Sequence, residues 1–188
     1  MSILKIARIG HPVVRGTARE LTRQELRGRD VQRLIDDMVE TMHEYDGVGV
    51  AAPQVHAPLR LAVIEVPASD MATEDGVPLT VLANPVVTPL APEIALGFEG
   101  CLSVPGLRGV VPRCARLRYE GLDPRGARIV REVDGFHARV VQHECDHLDG
   151  RVYLDRMRDL RSLAFIEEFE KHALHAGDEE PGGADAGG

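Results

Sequence analysis

Two hydrophobic periods alternate along this chain. Val31, Leu34, Ile35, Met38 and Met42 recur at the 3.6-residue spacing of a helix with one buried face. Asp30 stands where a cap belongs, so the spacing predicts a helix from there to about Tyr45. After it the pattern shortens to strand-like runs: Leu59 to Val66, then Val81 to Leu90 broken by Pro85, Ile94 to Phe98, and Arg116 to Glu120. Ile129 to Val133 pairs with the run before it as a hairpin across Asp123-Pro124-Arg125-Gly126. The helical period then returns. Phe136, Val140, His143 and His147 form one stripe between Gly135 and Gly150. Leu160, Leu163, Ile166 and Phe169 form another over Asp159 to Leu174. Residues 1–20 read as an irregular arm with a turn at Gly10-His11-Pro12, and 67–78 as a polar loop. A helix, several strands and then helices predict an α+β domain, and no internal repeat is visible.

At 188 residues, 44% of them hydrophobic, the chain suits one domain, expected over 1–174. Residues 175–188, mostly Gly, Ala and acidic residues without apolar period, read as a disordered tail. Aromatics make up only 4%, so the core is aliphatic. A net charge of -8 argues against direct nucleic-acid binding. No apolar run approaches the roughly 20 residues of a membrane span, and the first residues are too charged for a signal peptide. Cys101, Cys114 and Cys145 are odd in number and form no C-x-x-C, which fits a reducing cytoplasm.

The stripe with two histidines carries the chemistry. His143-Glu-x-x-His147 puts two imidazoles one turn apart on one helix face, able to hold one metal ion. Glu144, about 100° round the helix, can take a proton from water on that metal. Such a site needs a third ligand and an open position. Cys101, in Glu99-Gly100-Cys101-Leu102-Ser103, is either a small buried hydrophobe or that ligand as a thiolate; the pair of histidines favours the second. The small-residue run Gly47 to Gln54 lacks both phosphate-loop patterns and reads as a tight turn packed under a helix. Gln54 is its one polar donor.

Together, Gly47-Val-Gly-Val-Ala-Ala-Pro-Gln54, Glu99-Gly-Cys-Leu-Ser103 and Gln142-His-Glu-Cys-Asp-His147 resemble bacterial-type peptide deformylase. The resemblance implies antiparallel sheets packed around a central metal-binding helix. It also implies removal of the N-formyl group from the initiator methionine of nascent chains. By matching position, Cys101, His143 and His147 would bind the metal and Glu144 would be the general acid/base. Gln54 and the Leu102 backbone N–H would receive the oxyanion. Fe(II) is the implied native metal, with Ni(II), Co(II) or Zn(II) as substitutes. N-formylmethionyl peptides would lie extended against strand edges at Val48, Gly49 and Gly100, with methionine against Val48, Phe136, Val140 and His143. Arg108 matches a peptide-backbone contact, and Glu99 and Arg113 match an ion pair. Arg139 departs from an apolar pocket and is expected at its rim or in solvent. Some members dock on the ribosome through a basic tail. Here Asp178, Glu179, Glu180 and Asp185 make the tail acidic, leaving at most a transient contact. The protein is expected to be a monomer.

Two rivals share part of this pattern. A zinc peptidase would use Glu167 as third ligand, although Tyr153 stands where the longer peptidase motif needs histidine. A non-catalytic peptide-binding domain with a structural metal would need a fourth protein ligand.

Overall fold

The structure, a computed structural model, describes residues 2–70 and 76–176. In chain order it contains α1 (Pro12–Arg15), α2 (Arg23–Leu26), α3 (Arg29–Glu44), β1 (Gly49–Ala51), β2 (Leu61–Val66), β3 (Val77–Pro89), β4 (Ile94–Cys101) and β5 (Val104–Cys114). There follow β6 (Arg116–Leu122), β7 (Arg128–Asp134), α4 (Gly135–Leu148), β8 (Ala164–Phe165) and α5 (Ile166–Ala176). One antiparallel sheet runs β1-β2-β3-β6-β7 and a second runs β4-β5-β8. The expected α+β class holds.

β2 explains the layering. Its residues alternate between two cores. Leu61 and Val63 pack with Ile35, Met38 and Met42 of α3. Ile64 and Val66 pack with Val140 and Val141 of α4 and with Leu82 and Leu117 of neighbouring strands. A strand buried on both faces reads as a continuous apolar run, which is what the sequence has there. α3 starts as its period predicts, but Gly28 is the cap and makes no side-chain bond. Asp30 sits in the first turn, where the helix dipole favours it. The predicted hairpin is β6–β7, with Arg116 opposite Asp134 and Leu122 opposite Arg128.

Four expectations change. The run ending at Gln54 is not only a turn: Gly49–Ala51 forms β1, paired with β2, before a short 3-10 turn over Ala52–Val55. β3 continues through Pro85 by a register irregularity between Ala83 and Val86. Asn84 takes φ 51° there, and its side-chain amide holds both backbone groups of Leu21, at 2.9 and 2.8 Å. β5 lies outside the expected strands, because Pro105, Gly106, Gly109 and Pro112 all disfavour a strand. Pairing with β4 along its length overrides that preference. The last helix begins at Ile166 rather than Asp159, because Ala164 and Phe165 leave the helical path to pair with Arg108 and Leu107 as β8. Leu160 is consequently 66% exposed.

The helix of the two histidines forms as predicted. α4 follows β7 without a connecting loop, capped at Asp134, and Gly135 absorbs the corner at φ 53°. Its buried residues Ala138, Val140, Val141 and Leu148 fix its rotation. The acidic tail 177–188 lies outside the described residues, and α5 extends to Ala176. No helix among the described residues is long and apolar enough to cross a membrane.

Candidate metal centre

α4 delivers His143 and His147 on one face, with ring centroids 5.1 Å apart. β4 delivers Cys101 at its last residue, just before the two-residue turn Leu102-Ser103. Cys101 Sγ lies 3.2 Å from His147 Nε2. The ligand atoms of Cys101, His143 and His147 all lie within 4.8 Å of one another, the one such cluster among the described residues. Glu167 is exposed on α5 and outside it, so the peptidase alternative lacks its third ligand.

The cluster is braced by buried charge. His143 Nδ1 donates to Glu99 Oε2 at 2.8 Å, which turns the Nε2 lone pair toward the other donors. Arg113 grips both Glu99 oxygens at 2.9 Å each and reaches Asp146 at 2.5 Å. Arg156 closes the chain on Asp146 Oδ1 at 2.6 Å. The Glu99–Arg113 pair therefore stands as predicted. Arg139 does not snorkel to solvent: it lines the cavity with its guanidinium turned inward. It is 7% exposed, donating to Glu99 Oε1 at 2.8 Å and to the carbonyls of Ala95, Gly97 and Val111. Gly97 makes the room, since a Cβ there would stand 2.8 Å from the guanidinium carbon.

Gln54 is buried and clamped. Its Oε1 accepts from the Ala51 N–H at 2.9 Å, and its Nε2 donates to Ser103 Oγ at 3.3 Å and Cys101 Sγ at 3.5 Å. The Ser103 N–H points at the same sulfur, at 3.4 Å. The N-terminal arm straps this corner. Ala7 N–H donates to the Gln54 carbonyl at 2.7 Å, and Ile9 N–H to the Ser103 carbonyl at 2.9 Å.

A cavity of about 1240 Å³ opens on these groups. Val48, Gly49, Gly100, Leu102, Phe136 and Val140 all line it, as do Gln54 and Glu144. Arg108 does not. Its guanidinium lies between the rings of Phe98 and Phe169, 4.8 and 4.3 Å from their centroids. Burial alone would raise the Cys101 thiol, but His147 and His143 outweigh it and hold the pKa well below the ordinary thiol range. Burial pushes Glu144 up to about 7 against the pull of both histidines, which suits a group that accepts and returns a proton near neutrality. Cys145, on the same helix, is pushed to about 12 by burial and remains a thiol.

This donor set fits a divalent transition metal. It has one thiol biased to thiolate and two imidazoles, one oriented by a carboxylate. Glu144 Oε2 is buried beside it with no hydrogen-bond partner among the described residues. Sequence reasoning missed Ser103, Asp146, the arm's two backbone bonds and Ile166, which also lines the cavity. Asp146 lies inside the quoted motif and could have been read from it. Ser103 likewise closes the quoted Glu99–Ser103 motif, whereas the arm's bonds and Ile166 depend on contacts remote in the chain.

A model of the family described as "Polypeptide deformylase" matches residues 3–162. Peptide deformylase 1 of Bordetella pertussis is 54% identical over 139 residues, which is 73% of this chain and 79% of that one. The fold is similar to a class I type b peptide deformylase from Acinetobacter baumannii, at TM-score 0.79 and 34% identity, covering 84% of this chain and all of that one. The same Acinetobacter enzyme solved with Met-Ala-Ser bound matches at TM-score 0.77 and 34% identity, covering 83% of this chain and all of that one.

Proposed function

The chain belongs to the polypeptide deformylase family, and from that premise we propose that it hydrolyses the N-formyl group from the initiator methionine of nascent polypeptides. The observation that carries the reading is the 3.2 Å approach of Cys101 Sγ to His147 Nε2, with Gln54 and Glu144 at the same end of one cavity. Cys101, His143 and His147 would hold one divalent ion, Fe(II) as the family resemblance implies, with Ni(II), Co(II) or Zn(II) as substitutes. When bound, that ion lowers the pKa of water and polarises the formyl oxygen.

The remaining work belongs to the chain. Glu144 takes the proton of the attacking water and hands it to the departing amine. Gln54 and the Leu102 N–H donate to the oxyanion. The clamp from the Ala51 N–H on Gln54 Oε1 fixes which end of its amide is available to donate. Glu99 keeps His143 in one tautomer, and Arg113 with Arg139 keeps Glu99 ionised.

The peptide adds as an extended strand at Val48-Gly49 and Gly100, through backbone bonds that tolerate any sequence. Its methionine enters between Val48, Phe136, Val140 and His143. The solved Acinetobacter relative with Met-Ala-Ser bound supports a peptide in this cavity. The protein acts as a monomeric domain in the cytoplasm, with the acidic tail leaving any ribosome contact transient.

The test is formate release from a formyl-methionyl peptide, with and without a chelator. We expect release that stops on chelation and returns with Ni(II) or Fe(II). Release indifferent to metal stripping, or none from the reloaded protein, would overturn the proposal.

A further inference from the structure

The candidate metal centre is a contact between two elements, since Cys101 comes from β4 and both histidines come from α4. A ladder of side chains sets how far along one element lies against the other. On β4 the rungs stand at every second residue: Ala95, Gly97 and Glu99, then Cys101. On α4 they stand at every fourth: Arg139, His143 and His147. Two strand residues advance roughly 6.6–6.8 Å and four helical residues about 6 Å, so the two series keep step over three rungs. Arg139 makes the first rung, donating to the carbonyls of Ala95 at 2.9 Å and Gly97 at 3.3 Å and to Glu99 Oε1 at 2.8 Å. His143 makes the second with Glu99 Oε2 at 2.8 Å. His147 Nε2 makes the third with Cys101 Sγ at 3.2 Å.

The other bonds between α4 and this hairpin land on β5. Gln142 clasps the N–H and the carbonyl of Cys114 at 3.0 Å each, and Asp146 takes Arg113. Among the described residues, Arg139 is the one α4 side chain that holds the β4 backbone. Resting on the metal-centre reading, we infer that Arg139 is a positioning residue for the metal ligands: it fixes the register of β4 on α4 and thereby the place of Cys101 against the two histidines. The guanidinium suits the task because its planar fork aims five donors in fixed directions. It therefore ties two carbonyls of β4, the Val111 carbonyl of β5 and the Glu99 carboxylate at once. β4 pairs with β5 from Ile94 to Gly100 without a break, so a shift at Gly97 is carried along the strand toward Cys101. Gly97 is the other half of the device: a Cβ there would stand 2.8 Å from Arg139 Cζ and Nη2.

The experiment measures Co(II) affinity by chelator competition, and the visible spectrum of the Co(II) protein, in the full chain and in Arg139→Met, Gly97→Ala and the two combined. Arg139→Met removes the donors from the helix side, and Gly97→Ala pushes the guanidinium off from the strand side. Each should weaken Co(II) binding by about 10–100-fold, the range for groups that stand behind metal ligands, and shift the cobalt bands, which report ligand placement. The double variant should lose no more than the weaker-binding single variant, because both substitutions break one contact. Val141→Ala, a buried α4 position in the core against the five-stranded sheet, should lower stability and keep both affinity and spectrum. Urea melts establish folding first, and Gly97→Ala carries the test if Arg139→Met does not fold. Wild-type affinity and spectrum in either folded single variant, or losses that add in the double variant, overturn the inference and leave the metal centre standing. Failure of the wild type to bind Co(II) overturns the metal centre itself and the inference with it.

Discussion

Gly49 and Glu144 occupy adjoining space: a Cβ added to Gly49 would stand 2.8 Å from the Glu144 carboxyl carbon. No side chain fits at position 49 while Glu144 keeps its place. Gly49→Ala should therefore fold, since β1 is a short edge strand, but displace the carboxylate. A misplacement of that order costs about 10²-fold in rate. Turnover measured at matched metal content checks it. An undiminished rate would mean that Glu144 works from another position.

Glu144→Gln preserves size and removes the base. The variant should bind metal normally and lose about 10²–10⁴-fold in kcat. Gln54→Ala should lose about 10²–10³-fold, the effect of deleting one oxyanion donor. Single-turnover formate release, with metal quantified beside it, separates these losses from loss of the ion. Full turnover by metal-loaded Glu144→Gln would take Glu144 out of the chemistry.

Cys101→Ala and His147→Ala should each release the metal, because the cluster among the described residues has three donors and no spare. Glu167→Ala should retain it. Elemental analysis after dialysis decides between the readings. Metal lost from the Glu167 variant and kept by the Cys101 variant would favour a peptidase-like ligand set.

Glu99 predicts a pH dependence. Burial would raise its pKa, but hydrogen bonds from Arg113 and His143 outweigh burial and hold it well below the carboxylate range. A carboxyl depressed on folding adds stability above its unfolded pKa of about 4.3, and that stability drains as pH falls toward the folded value. Glu99→Gln also leaves Arg139 without a carboxylate and Arg113 with Asp146 alone, so it should cost about 3–5 kcal/mol near neutrality. Urea melts of both proteins should show the gap narrowing below about pH 4. A constant gap would assign the loss to packing alone.

Removal of residues 177–188 should leave deformylation and melting temperature unchanged. The segment contains four acidic residues, two Gly-Gly pairs and no apolar period, so it has little surface to bury against its ordering entropy. A cooperative fall in melting temperature on truncation would contradict this.

Local periodicity determined much of this protein by itself. The His143–His147 pair is set by helical geometry, and the helix by its own apolar stripe, so the two candidate imidazole donors and the candidate base were legible without a fold. β2, the β6–β7 hairpin and α3 were legible for the same reason: each hydrophobic pattern agrees with its final burial. Tertiary structure alone decided the rest. β5 carries two prolines and two glycines that speak against a strand, and only β4 beside it supplies the pairing. Ala164 and Phe165 left a helical pattern because an unpaired edge of β5 was within reach. Arg139 looked like a surface charge, yet Glu99 and three hairpin carbonyls wait for it inside. Cys101 joined the candidate cluster only when β4 brought it to a helix 42 residues away (His143) and 46 residues away (His147). Contacts between residues so far apart leave no periodic trace in the chain, because what satisfies them is a partner's position and not a neighbour's spacing.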